Sequence, residues 1–258
     1  MPQLQRLAIT PPQICDRKID LTREQQHYLN RVLRLQAGDR FIAMDGRGHW
    51  WLAVLEVRET GLFASITEEI AVNRELPVEV TLMAALPKGN GFDEVVRQAT
   101  ELGVASIVPV TSDRTLLKPS DQKVDRWRRI AAEAAEQSER QIVPTILEPI
   151  SFEFAVKDCG QKYRYICVAR GDNRHLWDCL IGSFDPPFVG AVPPCPPPAG
   201  GELSIVIAVG PEGGWTEGEV KRAIEFGFEA VSLGSRILRA VTAPIVALSL
   251  VGAAFEKC

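Results

Sequence analysis

From residue 78 onward, nearly continuous apolar runs alternate with segments whose apolar positions recur every three to four residues, and few folds accommodate that pattern. Val78-Glu-Val-Thr-Leu-Met-Ala-Ala-Leu86, Val104-Ala-Ser-Ile-Val-Pro-Val110, Tyr163 to Ala169 and Ser204-Ile-Val-Ile-Ala-Val209 read as strands buried on both faces. Between the first two, Phe92, Val95, Val96, Ala99 and Leu102 share one helical face, and Gly103 stands where a left-handed residue ends a helix. A second helix is expected from Val124 to Gln137, and Pro144 ends anything helical before it. Strands of this kind separated by helices call for a parallel α/β sheet, because each parallel crossover lays a helix on the sheet.

The amino-terminal pattern differs, and the polar break Asn73 to Pro77 separates the two, which suggests domains at 1–74 and 75–258. Phe41 to Met44 and Trp50 to Val57 flank Asp45-Gly-Arg-Gly48 as a hairpin would, and Leu62 to Ile66 is a third strand. One helix interrupts them. Thr22 with Gln25 has the capping-box spacing, and Tyr28, Leu29, Val32 and Leu33 form its apolar stripe. His27, Arg31 and Arg34 share another face, and residues 1–58 hold nine Lys/Arg against six Asp/Glu. A small β-barrel with one basic helix suits RNA docking without demanding it. Trp50 and Trp51 are expected in its core. Residues 182–201, with seven prolines and four glycines, are expected to form an extended loop.

Formal charge is −4, so the chain is no polycation that coats nucleic acid, and any such contact must come from local patches. No run of eighteen apolar residues occurs, and Met-Pro-Gln-Leu-Gln-Arg is not a signal peptide; no membrane association and a cytoplasmic location are expected. Six irregularly spaced cysteines without a Cys-x-x-Cys, and three scattered histidines, give no basis for a metal site.

The chemistry concentrates in the last fifty-five residues. Ser204 to Val209 runs directly into Gly210-Pro-Glu-Gly-Gly214, and Thr216 with Glu219 then opens a helix as a second capping box. A glycine loop after a buried strand lies at the carboxyl edge of the sheet, where open α/β proteins bind ligands. The pattern repeats: Glu229 to Leu233 is a strand, Gly234-Ser-Arg-Ile-Leu-Arg239 a loop, and Thr242 caps a helix with Pro244 in its first turn. Neither a Gly-x-Gly-x-x-Gly nor a Gly-Lys-Ser/Thr follows, which separates the loop from the Rossmann and P-loop patterns. As a glycine loop alone it fits a tight strand-to-helix turn as well as a ligand site.

Several blocks in order resemble one family. Leu86-Pro-Lys-Gly, Ala99-Thr-Glu-Leu-Gly-Val104, Arg126-Trp with Ile130, Glu136-Gln-Ser with Arg140, Gly210 to Gly214, and Leu233-Gly with Arg236-Ile-Leu-Arg239 and Thr242-Ala243 look like the ribosomal RNA small subunit methyltransferase E family of the SPOUT class. His27-Tyr-Leu, Val32-Leu-Arg34, Gly38-Asp39 and Asp45-Gly also match. The resemblance implies a PUA-like β-barrel followed by an α/β parallel sheet with a carboxyl-terminal trefoil knot. It further implies a homodimer, S-adenosylmethionine as cofactor, and methylation of uridine N3 in small-subunit ribosomal RNA, free or in the assembled subunit. The cofactor would lie against Val168, Ala169, Gly210, Pro211, Glu212, Gly213, Gly214, Leu233, Gly234, Ser235, Ile237, Leu238, Arg239, Thr242 and Ala243. The chain departs from the family pattern at Ala240-Val241, where Thr-Glu is usual, at Gln98 and at Asp113. A non-catalytic RNA-binding or ribosome-assembly protein that kept the fold is the alternative.

Uracil N3 is a poor nucleophile while protonated, and no histidine lies in the matched blocks of the α/β part. Arg114 and Arg239 are therefore the candidates for stabilising a uracil anion. Residues 114–129 carry six basic and two acidic side chains. Arg31, Arg34, Lys88, Arg114, Lys118, Arg126 and Arg140 are the expected RNA contacts.

Overall fold

The computed structural model describes residues 4–58, 61–71, 74–115, 119–182 and 203–256. Lys118 and all of the proline-rich stretch beyond Gly182 lie outside the described residues. The chain divides into two compact units, Met1–Arg74 with Ala135–Val143, and Glu75–Ala134 with Pro144–Cys258.

The first unit holds strands β1 (Arg6–Ala8), β2 (Ile14–Cys15), β3 (Lys18–Asp20), β4 (Arg40–Met44), β5 (Trp50–Arg58) and β6 (Gly61–Ile70), in the order β1-β4-β5-β6-β3-β2. β1 joins β4 in parallel and the other pairs are antiparallel. The expected hairpin is present, with Met44 opposite Trp50. Asp45 Oδ1 accepts from the amides of Arg47 (2.8 Å) and His49 (3.1 Å), which closes the turn. Segment 135–143 joins this unit because Gln141 and Val143 bond Gly48 and Gly46 through the backbone. Alternate strand residues Phe41, Ala43, Ala53, Leu55 and Ala64 turn inward onto Ile19 and Leu29. Trp50 is buried, whereas Trp51 is half-buried with its ring 5.7 Å from that of His49.

The amino-terminal helix is shorter than its periodicity implies. α1 (Arg23–His27) begins with the expected capping box: Gln25 N donates to Thr22 Oγ1 (3.2 Å) and Thr22 N to Gln25 Oε1 (2.9 Å). A π turn over Tyr28–Val32 follows, with Leu33 N donating to Tyr28 O. The wider turn slips the apolar register, so Val32, expected on the buried stripe, is 59% exposed, and Arg34 adopts a left-handed φ of 57°.

The second unit contains β7 (Glu79–Ala85), β8 (Ser106–Thr111), β9 (Thr145–Ile146), β10 (Ile150–Ser151), β11 (Tyr163–Cys167), β12 (Ser204–Val209) and β13 (Glu229–Val231). Their order is β10-β8-β7-β12-β11-β13 with β9 beside β8, and every pairing is parallel, as the apolar runs demand. The helices are α2 (Gly91–Glu101), α3 (Asp121–Gln137), α4 (Phe152–Lys157), α5 (Leu176–Gly182), α6 (Glu217–Glu225) and α7 (Ala243–Phe255). Met83, Val108, Val110, Ile166, Val206 and Ala208 pack on Phe152 and Val156 of α4 and Ala223 of α6. Period-2 alternation leaves Leu82, Ile107, Ile205 and Ile207, all fully buried, for the opposite face. There α7 runs along β12 and packs against α2 and α5. Among the described residues no helix is long and apolar enough to cross a membrane.

Candidate functional site

Because β12, β11 and β13 are adjacent and parallel, the loops that leave their carboxyl ends converge on one edge of the sheet. They enclose a cleft of about 1050 Å³. Its walls include Cys167, Val168 and Ala169 after β11, Val209 to Trp215 after β12, and Leu233, Gly234, Ile237 and Leu238 after β13, with Ala243 at the start of α7. The two loops read from the glycine pattern and the third wall at Val168 and Ala169 are thus brought together. Ser235, Arg239 and Thr242 belong to the third loop but are exposed and do not line the cleft.

The two glycine-marked loops are fixed by local devices. In the loop after β12, Gly214 N donates to Pro211 O (2.8 Å), and Gly214 takes a φ of 69° that a side chain would strain. Glu212 Oε1 accepts from the Lys88 amide (3.0 Å), tying the loop to the end of β7. Trp215 stacks on Phe152 with ring centroids 4.1 Å apart, so it packs as expected while still facing the cleft. A Cβ at Gly210 would lie 3.2 Å from that indole. In the third loop, Ser232 Oγ accepts from Gly234 N (3.1 Å), and the Arg239 carbonyl accepts from both Thr242 and Ala243 amides (2.9 Å). Thr242 occupies the N-cap position of α7 without a side-chain bond, which corrects the capping role expected of it. At α6 the expected cap is complete, with Thr216 and Glu219 bonded reciprocally.

The walls are largely aliphatic, from Val168, Val209, Val220, Leu233, Ile237 and Leu238, and charge sits on Arg114, Arg170, Glu212, Glu217, Lys221, Glu225 and Arg236. Arg114 is the only one of the two arginines considered for anion stabilisation that reaches the cleft; its Nη1 donates to the carbonyl of Gly213, with Gly214 O at 3.5 Å. Arg239 is exposed and does not. Burial pushes the Cys167 thiol up to about 12, so it is a neutral wall of the cleft rather than a nucleophile. Sequence reading missed Cys167, Arg170, Glu217 and Lys221; only their positions at or just beyond the end of β11 or on the first turns of α6 could have marked them.

The basic residues expected at RNA divide sharply. Arg31 is exposed and, with His27 and Asn30, lines a shallow groove of about 350 Å³ in the first unit. Arg34 and Lys88 are exposed. Arg126, however, is engaged by Asp93 (2.8 and 2.9 Å), and Arg128 by Glu148 (2.7 Å), so acids from outside 114–129 reduce the excess counted there. Arg140 is 3% exposed, too buried to track phosphates, and is corrected from contact to core residue.

A family model described as an RNA methyltransferase domain matches residues 74–252, and one described as an RNA methyltransferase PUA domain matches residues 21–66. Ribosomal RNA small subunit methyltransferase E of Synechocystis is 46% identical over 98% of this chain and 78% of its own length. That of Bacillus subtilis is 33% identical over 90% and 88%. Among solved structures, ribosomal RNA small subunit methyltransferase E of Neisseria gonorrhoeae bound to S-adenosyl methionine is 30% identical, with a TM-score of 0.81 over 98% of both chains. A parallel sheet with three convergent loops, a PUA domain before it, and this likeness along nearly the whole length lead to one assignment: the chain belongs to the ribosomal RNA small subunit methyltransferase E family.

Proposed function

We propose that this chain transfers a methyl group from S-adenosylmethionine to N3 of a uridine in small-subunit ribosomal RNA. The observation that carries the reading is the cleft itself, formed by the loops after β11, β12 and β13 in a chain alike over its whole length to a relative that holds this cofactor. The residues fit the group. Val168, Leu233, Ile237 and Leu238 offer an apolar slot for a purine, and the bare backbone of Gly210 to Gly214 and Gly234 offers amides and carbonyls to polar edges. Ala169, Pro211, Glu212 and Ala243 complete the walls, while Ser235, Arg239 and Thr242 stand outside them.

When bound, S-adenosylmethionine supplies a methyl group already activated on a sulfonium. The chain must then present an in-line nucleophile and exclude water, positioning worth about 7–11 kcal/mol. Uridine N3 lies on the pairing edge, so the base must be unpaired or flipped before it can enter. Arg114, at the rim of the glycine loop, is the cation this reading assigns to the oxygens of a uracil anion.

The family arrangement further implies a carboxyl-terminal trefoil knot, a homodimer, and a cytoplasmic enzyme acting on ribosomal RNA. In favour of the knot, the chain leaves β12, crosses β11 to form β13, and returns to β12 as α7. The domain split at residue 74, with the amino-terminal part docking RNA, belongs to the same reading. Arg31, Arg34 and Lys88 are the open cations retained as phosphate contacts. Three such contacts predict a slope of about −2 to −3 in log affinity against log salt, and a flat response removes them.

The deciding experiment incubates the protein with methyl-labelled S-adenosylmethionine and unmodified small ribosomal subunits, then digests the RNA to nucleosides. Labelled 3-methyluridine is expected. Label in another nucleoside would correct the target, and cofactor binding without label would favour the non-catalytic alternative.

A further inference from the structure

Glu219 has 1% exposure, yet its partners are not those of an ordinary buried charge. A capping box needs one carboxylate oxygen, and Oε2 fills that role by accepting from the Thr216 amide (2.7 Å). The other oxygen, Oε1, accepts from the amide of Asp113 (2.9 Å), 106 residues away in the turn that follows β8. That turn is closed by its own bonds, from Thr115 N to Ser112 O (2.9 Å) and from Ser112 N to Thr115 Oγ1 (3.0 Å). The Asp113 carboxylate adds Thr216 Oγ1 at 3.1 Å and Arg222 at 3.5 Å. A preformed turn is therefore pinned by its backbone to the first turn of α6.

The next residue in that turn is Arg114, whose guanidinium returns to the carbonyls of Gly213 and Gly214. A Cβ at Gly213 would stand 3.1 Å from Arg114 Cδ, so the glycine is what lets the arginine lie flat on the loop. We infer that Glu219 is a positioning residue for Arg114: one oxygen caps α6, the other fixes the Asp113 amide, and the pair sets where the guanidinium meets the cleft. The inference rests on the proposed methyl transfer for its kinetic consequence but not for its structural one.

Glu219→Gln separates the two oxygens. The carboxamide has one acceptor oxygen for the two amides; with that oxygen kept on the Thr216 cap, its NH2 faces the Asp113 N–H, two donors face to face. Amide exchange of residues 112–115 should then rise about tenfold, the scale of one lost hydrogen bond, and kcat should fall by a similar factor with KM for RNA unchanged. If Glu219 acts through Arg114, the double variant Glu219→Gln/Arg114→Ala should turn over no more slowly than Arg114→Ala alone. A second variant guards against loss of fold. Asp113 is the second residue of the 112–115 turn, where proline is favoured, so Asp113→Pro keeps the turn but removes the N–H and the carboxylate and puts its Cδ where Glu219 Oε1 now lies. It should reproduce the kcat loss, whereas Asp113→Ala, which keeps the N–H, should not.

Multiplying effects in the double variant, or an Asp113→Pro enzyme as fast as wild type, would overturn the inference. If the wild-type protein methylates no RNA, the functional reading fails instead. Exchange at 112–115 then decides the positioning role, and unchanged protection in Glu219→Gln refutes it.

Discussion

Arg114→Ala should lower turnover about 10²–10³-fold, the loss seen when one preorganised donor is removed from a developing anion. The proposed substrate explains the size. Uracil N3 keeps its proton at neutral pH, and transfer requires that negative charge spread over O2 and O4 as the proton passes to solvent. Among the charged side chains at the cleft, Arg114 is the one held directly on the glycine-loop carbonyls. Its charge is thereby oriented before substrate arrives, so no reorganisation is needed during reaction. Single-turnover rates at saturating RNA and cofactor, with RNA affinity measured separately, check the prediction. Arg114→Lys should fall between wild type and alanine, because it keeps the charge but loses the planar fork. Raising the pH should recover the alanine variant more than wild type, since alkaline solution ionises N3 without help. Parallel loss of RNA binding and turnover would instead make Arg114 a phosphate contact.

The parallel sheet was legible because strands buried on both faces leave an unmistakable apolar signature, and the glycine loop because it follows such a strand directly. Both properties are local. What escaped reading is settled between distant residues or by very short segments. β1, β2, β3, β9, β10 and β13 have two or three residues each, too few for a period to repeat; only β13 was anticipated, from its place before the second loop. Arg126 looked like a free cation until Asp93, 33 residues earlier, supplied its partner. Glu219 was visible as a capping residue, but its bond to Asp113 depends on β8 and α6 meeting in space. The π turn at Tyr28–Val32 altered which side of the amino-terminal helix is buried without any residue that breaks helical propensity. The cleft followed from strand order, whereas the side of each loop that faces it did not, and so Arg239 and Thr242 were expected inside.

The largest loss of stability should come from Gly103→Ala. Gly103 ends α2 in a Schellman arrangement, with its own amide on Thr100 O and the Val104 amide on Ala99 O, both 3.1 Å. Its φ is 87°, where a Cβ costs about 1–2 kcal/mol. Space is the second obstacle. The added Cβ would fall 2.7 Å from Leu76 Cγ and 2.8 Å from Cδ1, and Leu76 is itself only 4% exposed, so it cannot swing into solvent. Overpacking of that kind costs about 1–3 kcal/mol. Together these remove about 2–5 kcal/mol, a large part of the 5–15 kcal/mol that holds an ordinary domain, and lower the melting temperature by roughly 5–20 °C. Gly218→Ala is the matched control: its nearest neighbour would be Thr216 Oγ1 at 4.0 Å, and a helical alanine there should leave melting unchanged or raise it slightly. Leu76→Ala in the Gly103→Ala background tests the division. If it recovers part of the loss, collision with Leu76 carries that part. If it recovers none, the left-handed backbone accounts for the whole, and the close approach of Leu76 is incidental to why glycine stands at this helix end.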